Sequence, residues 1–120
     1  MDLRISDEQQ RGVPVLVPEG EVDRGTASVL SDHLGRLVGH LPTALVVDLS
    51  RLRFMDSTGV HVIVEADQVV HGYGGRLGVV AGTGHVRDVF VLAGAPLSVP
   101  LHRTREAAVS AVLGHRLTVG

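Results

Sequence analysis

The chain has 120 residues, 44% of them hydrophobic and 20% charged, which is room for one small domain with a real core and not for two. It carries no Cys, and that excludes a disulfide framework, a Cys-ligated zinc site and a thiol nucleophile. Its net charge of -2 and 2% aromatic content supply neither the basic patch nor the stacking platform of a nucleic-acid binder.

Strand and helix signals alternate along the chain. Leu3–Ile5 and Val13–Val17 read as a strand pair joined through the polar stretch Asp7–Gly12. Pro14 lacks a ladder donor and so marks an edge or a strand start. Gly20-Glu21-Val22-Asp23 reads as a turn out of that strand. Thr26 is placed to cap a helix running to about Val38, with Ala27, Leu30, Leu34, Leu37 and Val38 at helical spacing and Gly39 and Pro42 at its end. Thr43–Leu49 is a continuous apolar run, the pattern of a strand buried on both faces. Phe54 and Met55 are expected to enter the core. A second helix starts at Asp56 or Ser57 and runs to about Val70, closed by Gly72 and Gly74.

Arg76–Ala81 is another buried strand, and Gly82-Thr83-Gly84 turns the chain into a helix over His85–Leu92, broken by Gly94 and Pro96. Ser98–Leu101 reads as a short last strand and Arg103–Leu113 as a C-terminal helix. The order β-β-α-β-α-β-α-β-α predicts a single α/β domain over residues 1–120. Its mixed, mostly parallel sheet would have about 4–5 strands, with about four helices packed on it. No apolar run approaches the roughly 20 residues of a membrane span, so no membrane association is expected. Met1-Asp2-Leu3-Arg4 does not begin a signal peptide, and the expected location is cytoplasmic.

The most informative stretch is Leu49–Val64, LSRLRFMDSTGVHVIV. Asp56 and Ser57 are both good N-caps, because a side-chain oxygen there accepts from the first unpaired helix amides. Beyond it, Val60, Ile63, Val64 and Val70 make an apolar face, widened by Val62, Ala66 and Val69. Ser57, His61, Glu65 and Gln68 form a polar stripe on one edge. Ser57 therefore heads a solvent-facing stripe at the positive end of a helix. A phosphate there is tolerated by the dipole and free amides, and it adds charge beside Asp56.

FMDSTG followed by a branched apolar residue resembles the signature of the anti-sigma factor antagonists (anti-anti-sigma factors) of the STAS domain family. GEVD at residues 20–23, followed by Thr26 and a helix, resembles that family's other landmark, and the likeness covers nearly the whole chain. The resemblance implies a STAS-like fold with Ser57 as phosphoacceptor. It implies an anti-sigma factor with serine kinase activity as partner, bound by the unphosphorylated form so that a sigma factor is released. A metal-dependent serine phosphatase would reset the switch. The contact positions carried over are Asp23, Thr26, Asp56, Thr58, Gly59, His61, Val62 and Glu65. His61 and Glu65 stand where the family usually has small residues, and this bears on which partner fits.

Other chemistries fit less well. The seven His residues, at 33, 40, 61, 71, 85, 102 and 115, show no ligand spacing, so no metal site is expected. FMDSTG is not the G-x-S-x-G elbow of a hydrolase, and no enzyme activity is expected. Gly72-Tyr73-Gly74-Gly75 and Gly82-Thr83-Gly84 complete no phosphate-loop pattern, and a chain without Lys cannot supply the Walker lysine. The domain itself should need no cofactor, and a free monomer is the simplest state for an exchangeable partner. The alternative is a STAS subunit of a transporter or a stress-signalling scaffold, bound to a constant partner.

Overall fold

Arg11 (φ 53°) and Gly12 (φ 79°) turn the chain back on itself in the computed structural model, which describes residues 2–82, 84–94 and 99–117. Two consecutive positive φ angles are what a tight two-residue hairpin needs. The hairpin pairs β1 (Leu3–Gln10) with β2 (Val13–Val22) antiparallel, Gln10 opposite Val13 and Leu3 opposite Gly20. Asp7–Gln10 is therefore strand and not loop. It lies on the sheet's edge, where polar side chains can face water while the backbone pairs with β2.

Then follow α1 (Ala27–Val38), β3 (Ala44–Asp48), β4 (Leu52–Met55), α2 (Ser57–Gly72) and β5 (Arg76–Val80). The chain continues through α3 (His85–Leu92), β6 (Leu101–His102) and α4 (Arg105–Leu117). Among the described residues six strands make one sheet in the order β1-β2-β3-β5-β6, with β4 pairing β2. All pairs except β1–β2 are parallel. The expected four helices on a mostly parallel sheet are present.

Three local expectations are corrected. Gly20–Val22 is not a turn: β2 runs on to Val22 because β4, absent from the expected order, pairs with it there. β2 is interior, so of the two readings of Pro14 the strand start is the one that holds. Pro14 is tolerated as its second residue, and Pro18 falls between the residues paired to β3 (Val15, Leu16) and those paired to β4 (from Gly20). Phe54 does not enter the core: on β4 it stays 37% exposed, while Met55 is fully buried. The last strand is Leu101–His102. Of the expected span, Ser98 lies outside the described residues, as do Thr83 and Pro96 of the expected turns.

Leu45, Val47, Leu77 and Val79 bury one sheet face under Leu30 and Leu34 of α1 and Val60, Ile63 and Val70 of α2. Val15, Val46 and Val80 bury the other under Ala108, Val109 and Val112 of α4. Fully burying such side chains stabilises by about 1.5–3 kcal/mol each. Arg105 ties α4 down electrostatically: its Nε donates to Asp48 Oδ2 at 2.9 Å and its Nη1 to Glu8 Oε1 at 2.7 Å. His33 on α1 meets Asp7 on β1, Nε2 lying 2.9 Å from Oδ1.

Candidate functional site

β2 and β4 run parallel, with Val22 opposite Met55. The residues that follow these strands, Asp23 and Asp56, therefore leave adjacent strand ends on the same side of the sheet. The Asp56 amide donates to the Val22 carbonyl at 3.1 Å and joins the two turns. The sequence landmarks GEVD and FMDSTG thus become one surface.

Asp56 is the N-cap of α2, in extended conformation, and its Oδ1 accepts from the Thr58 amide at 2.9 Å. The Thr58 hydroxyl donates to the same oxygen. Thr58 is thereby committed inward, and Ser57, the first residue of the helix, is left exposed beside an ionisable carboxylate. His61, Glu65 and Gln68 are exposed as the stripe required, and Val62 is half-buried.

Gly59 is buried, and its lack of a side chain decides how deep the helix sits. A Cβ there would lie 2.7 Å from Met55 Cγ and Sδ and 2.9 Å from Val22 Cγ1. Only glycine lets the first turn of α2 rest directly on the strand ends. Gly59 therefore shapes the surface from beneath.

Thr26 behaves differently from the expectation. It is the N-cap residue of α1 by position, but its hydroxyl makes no capping bond. That hydroxyl donates to the Glu21 carbonyl at 2.9 Å and accepts from the Asp23 amide at 3.0 Å. Asp23 Oδ1 closes the turn that precedes the helix, accepting from the amides of Gly25 at 2.8 Å and Thr26 at 3.2 Å. Thr26, only 8% exposed, holds the turn that presents half-buried Asp23.

One residue at this surface was not among those singled out. His85, the first residue of α3, donates from Nε2 to the Met55 carbonyl at 3.1 Å. Its ring stacks on Phe54, centroids 5.0 Å apart and planes at 19°. It braces the last residues of β4 just before Asp56. The contact joins residues far apart in sequence, so no local signal marks it. Among the described residues no group of His, Asp and Glu has the arrangement of a metal site.

The STAS domain family matches residues 4–108 of this chain. The anti-sigma-F factor antagonist RsfB of Mycobacterium tuberculosis is 32% identical over 115 residues, 96% of this chain and 93% of that protein. The chain belongs to the STAS domain family, among its anti-sigma factor antagonists. The crystal structure of an anti-sigma factor antagonist from Mycobacterium paratuberculosis superimposes on this STAS domain with a TM-score of 0.86 at 32% identity, covering 92% of this chain and 94% of that one. The unphosphorylated form of the antagonist SpoIIAA shares the fold, with a TM-score of 0.74 at 24% identity over 92% of this chain and 97% of that one. No helix among the described residues of this STAS domain is long and apolar enough to cross a membrane.

Proposed function

We propose that this STAS domain works as a phosphorylation-controlled binding module. Unphosphorylated, it binds an anti-sigma factor that is also a serine kinase, and a sigma factor is released. The kinase then transfers the γ-phosphoryl of ATP to Ser57 Oγ, and the complex separates. A metal-dependent serine phosphatase restores the hydroxyl. The domain acts by binding and not by catalysis.

The observation that carries this reading is the exposure of Ser57 at the first position of α2, beside an Asp56 whose carboxylate is already spent as the cap. A kinase can reach the hydroxyl without unfolding anything. The phosphate adds about -1.5 to -2 charges at the end of a helix that tolerates them, next to an existing carboxylate. The fold survives, and an interface at that spot faces a new desolvation cost and repulsion from any acidic group. A change of about 2.7 kcal/mol is a hundredfold in affinity, enough to exchange partners.

The partner surface in this reading runs from Asp23 across Asp56 and Ser57 and along the exposed edge of α2 through His61, Val62 and Glu65. Thr26, Thr58 and Gly59 support it from within. The test is titration calorimetry of the cognate anti-sigma factor against wild type, Ser57→Ala and Ser57→Asp. Ser57→Ala should bind like unphosphorylated wild type and Ser57→Asp at least tenfold more weakly. Equal affinity for all three would end the charge-switch account.

A further inference from the structure

β1 ends the sheet: among the described residues no strand lies beyond it. Which of its backbone groups are free follows from the hairpin. A two-residue loop closes on a hydrogen-bonded pair, here Gln10 and Val13, and such pairs alternate along an antiparallel ladder. The even-numbered residues of β1 therefore bond β2. The same alternation runs on to Asp2, whose carbonyl accepts from the Glu21 amide at 3.0 Å. Leu3, Ile5, Asp7 and Gln9 turn their N–H and C=O groups to the open edge.

Nothing in β1 blunts that edge. The strand has eight residues with no Pro, Lys or Gly, and it pairs with β2 without a register shift. Its two carboxylates are drawn inward: Asp7 Oδ1 lies 2.9 Å from His33 Nε2, and Glu8 Oε1 accepts from Arg105 at 2.7 Å. Glu8 Oε2 has Arg51 Nη1 at 3.7 Å, too far for a hydrogen bond. Arg4 is exposed and makes no ion pair with a described residue, not even with Glu19 opposite it on β2. Ser6, between Arg4 and Glu8 on that face, is exposed as well. On the α1 face the edge is open too, beside a hollow of about 250 Å³ lined by Asp7, His33, Arg36, Leu37 and His40.

We propose that β1 pairs antiparallel with β1 of a second copy of the chain, about a two-fold axis perpendicular to the sheet at Ser6. In that register Leu3 meets Gln9 and Ile5 meets Asp7 of the second copy, so the outward N–H and C=O groups of both strands are all bonded. Centring on Ile5 would leave Gln9 unpaired. Centring on Asp7 would leave Leu3 unpaired and set Asp7 against Asp7. Centring on Ser6 puts Arg4 of each copy opposite Glu8 of the other. These are non-hydrogen-bonded pairs, where side chains approach closely and opposite charges stabilise. An unrelated strand would need an acid and a base at those two places, and β1 run antiparallel carries both. The contact is isologous and points the two Ser57 surfaces in opposite directions. The free state is then a dimer, where partner exchange alone suggests a monomer.

The test uses the full chain, with its mass measured by light scattering over a concentration series up to about 1 mM. The mass should rise from 12.7 kDa toward twice that value. Gln9→Pro removes one outward N–H and keeps the ladder to β2. Arg4→Glu sets like charges opposite each other. Each should weaken the dimer by about tenfold or more, and Arg4→Glu serves if Gln9→Pro does not fold. The chain has no Cys, so Ser6→Cys supplies a single thiol, on the two-fold axis and at a spacing that a disulfide spans. Under mild oxidation it should cross-link at least fivefold faster than Gln9→Cys, which faces Leu3. The mass of one chain throughout, a dimer that Arg4→Glu does not weaken, or equal cross-linking of the two thiol variants would each overturn the proposal.

Discussion

The amide of Asp56 donates to the carbonyl of Val22 at 3.1 Å, and that bond, with the Val22–Met55 register beneath it, makes one surface of two distant turns. The packing that allows it is as tight as glycine permits. Gly59→Ala forces Met55 or Val22 to move and should destabilise the domain by about 1–3 kcal/mol, the usual cost of overpacking. The accompanying amide shifts should concentrate at Val22, Asp23 and Met55. Denaturant unfolding and an amide spectrum check both. An unchanged midpoint would show that the first turn of α2 is not seated on the strand ends as described.

The cap on α2 is separable from the hydroxyl of Ser57. Asp56→Ala removes the acceptor for the Thr58 amide and hydroxyl, and it should cost about 1 kcal/mol of stability. Asp56→Asn keeps a capping oxygen and should cost only a few tenths of that. If the two variants unfold at the same denaturant concentration, the carboxylate is not acting as the cap.

His85 offers a test of the surface beyond the motif. His85→Ala loses the bond to the Met55 carbonyl and the stack on Phe54, and it leaves Ser57 untouched. Affinity for the anti-sigma factor should fall by roughly tenfold, equivalent to about 1.4 kcal/mol, through loss of order at Met55–Asp56. Thermal stability should change little, because His85 is exposed. Wild-type affinity would place the end of β4 outside the interface.

Asp67 sets a pH dependence. Burial pushes its carboxyl above the ordinary 3.8, with His71 and Arg76 pulling the other way. A carboxyl with a raised pKa binds its proton more tightly when folded. Its favourable contribution is full below 3.8 and is lost as pH rises through the folded value. At pH 7 the ionised group therefore weighs against the fold. Asp67→Asn should raise Tm at pH 7, and the gain should shrink as pH falls below the folded pKa. His102 has the opposite sense: burial lowers its pKa, so stability is full above 6.5 and is lost as pH falls through the folded value. A melting series from pH 4 to 8 on wild type and Asp67→Asn separates the two. A lower Tm for Asp67→Asn at pH 7 would show that attraction to His71 and Arg76 outweighs burial.

Arg105 should hold α4 to the sheet. Asp48 is 3% exposed, and Arg105→Ala would leave its carboxylate without the guanidinium. The expected loss is about 2–3 kcal/mol, between that of a charged hydrogen bond and that of a broken buried ion pair. Chemical denaturation measures it, and a loss under 0.5 kcal/mol, the range of ordinary surface changes, would mark the contact as incidental.

Where the sequence carried period and punctuation, it was a sufficient guide. α3 begins and ends at His85 and Leu92 as its glycines indicated, and the stripe Ser57, His61, Glu65 and Gln68 is exposed. β4 was illegible because four residues with Arg53 inside them have no period, and it is a strand only because β2 extends to meet it. The role of Thr26 was misread for a related reason. A Thr at that position can cap, and only the fold decides that its hydroxyl is taken by the Glu21 carbonyl instead. Asp67 was overlooked although a signal existed. Val60, Ile63, Asp67 and Val70 recur at helical spacing, which puts the carboxylate on the buried face. The brace at His85 had no local signature, since it depends on a contact between residues thirty apart.

The central claim is that Ser57 is the phosphoacceptor, and the most direct test is intact mass. The purified domain and its Ser57→Ala variant are incubated with the cognate anti-sigma kinase and ATP. Wild type should gain the mass of one phosphate and Ser57→Ala none, with peptide mapping placing the group on Ser57. No gain in wild type, or an equal gain in Ser57→Ala, would contradict the account.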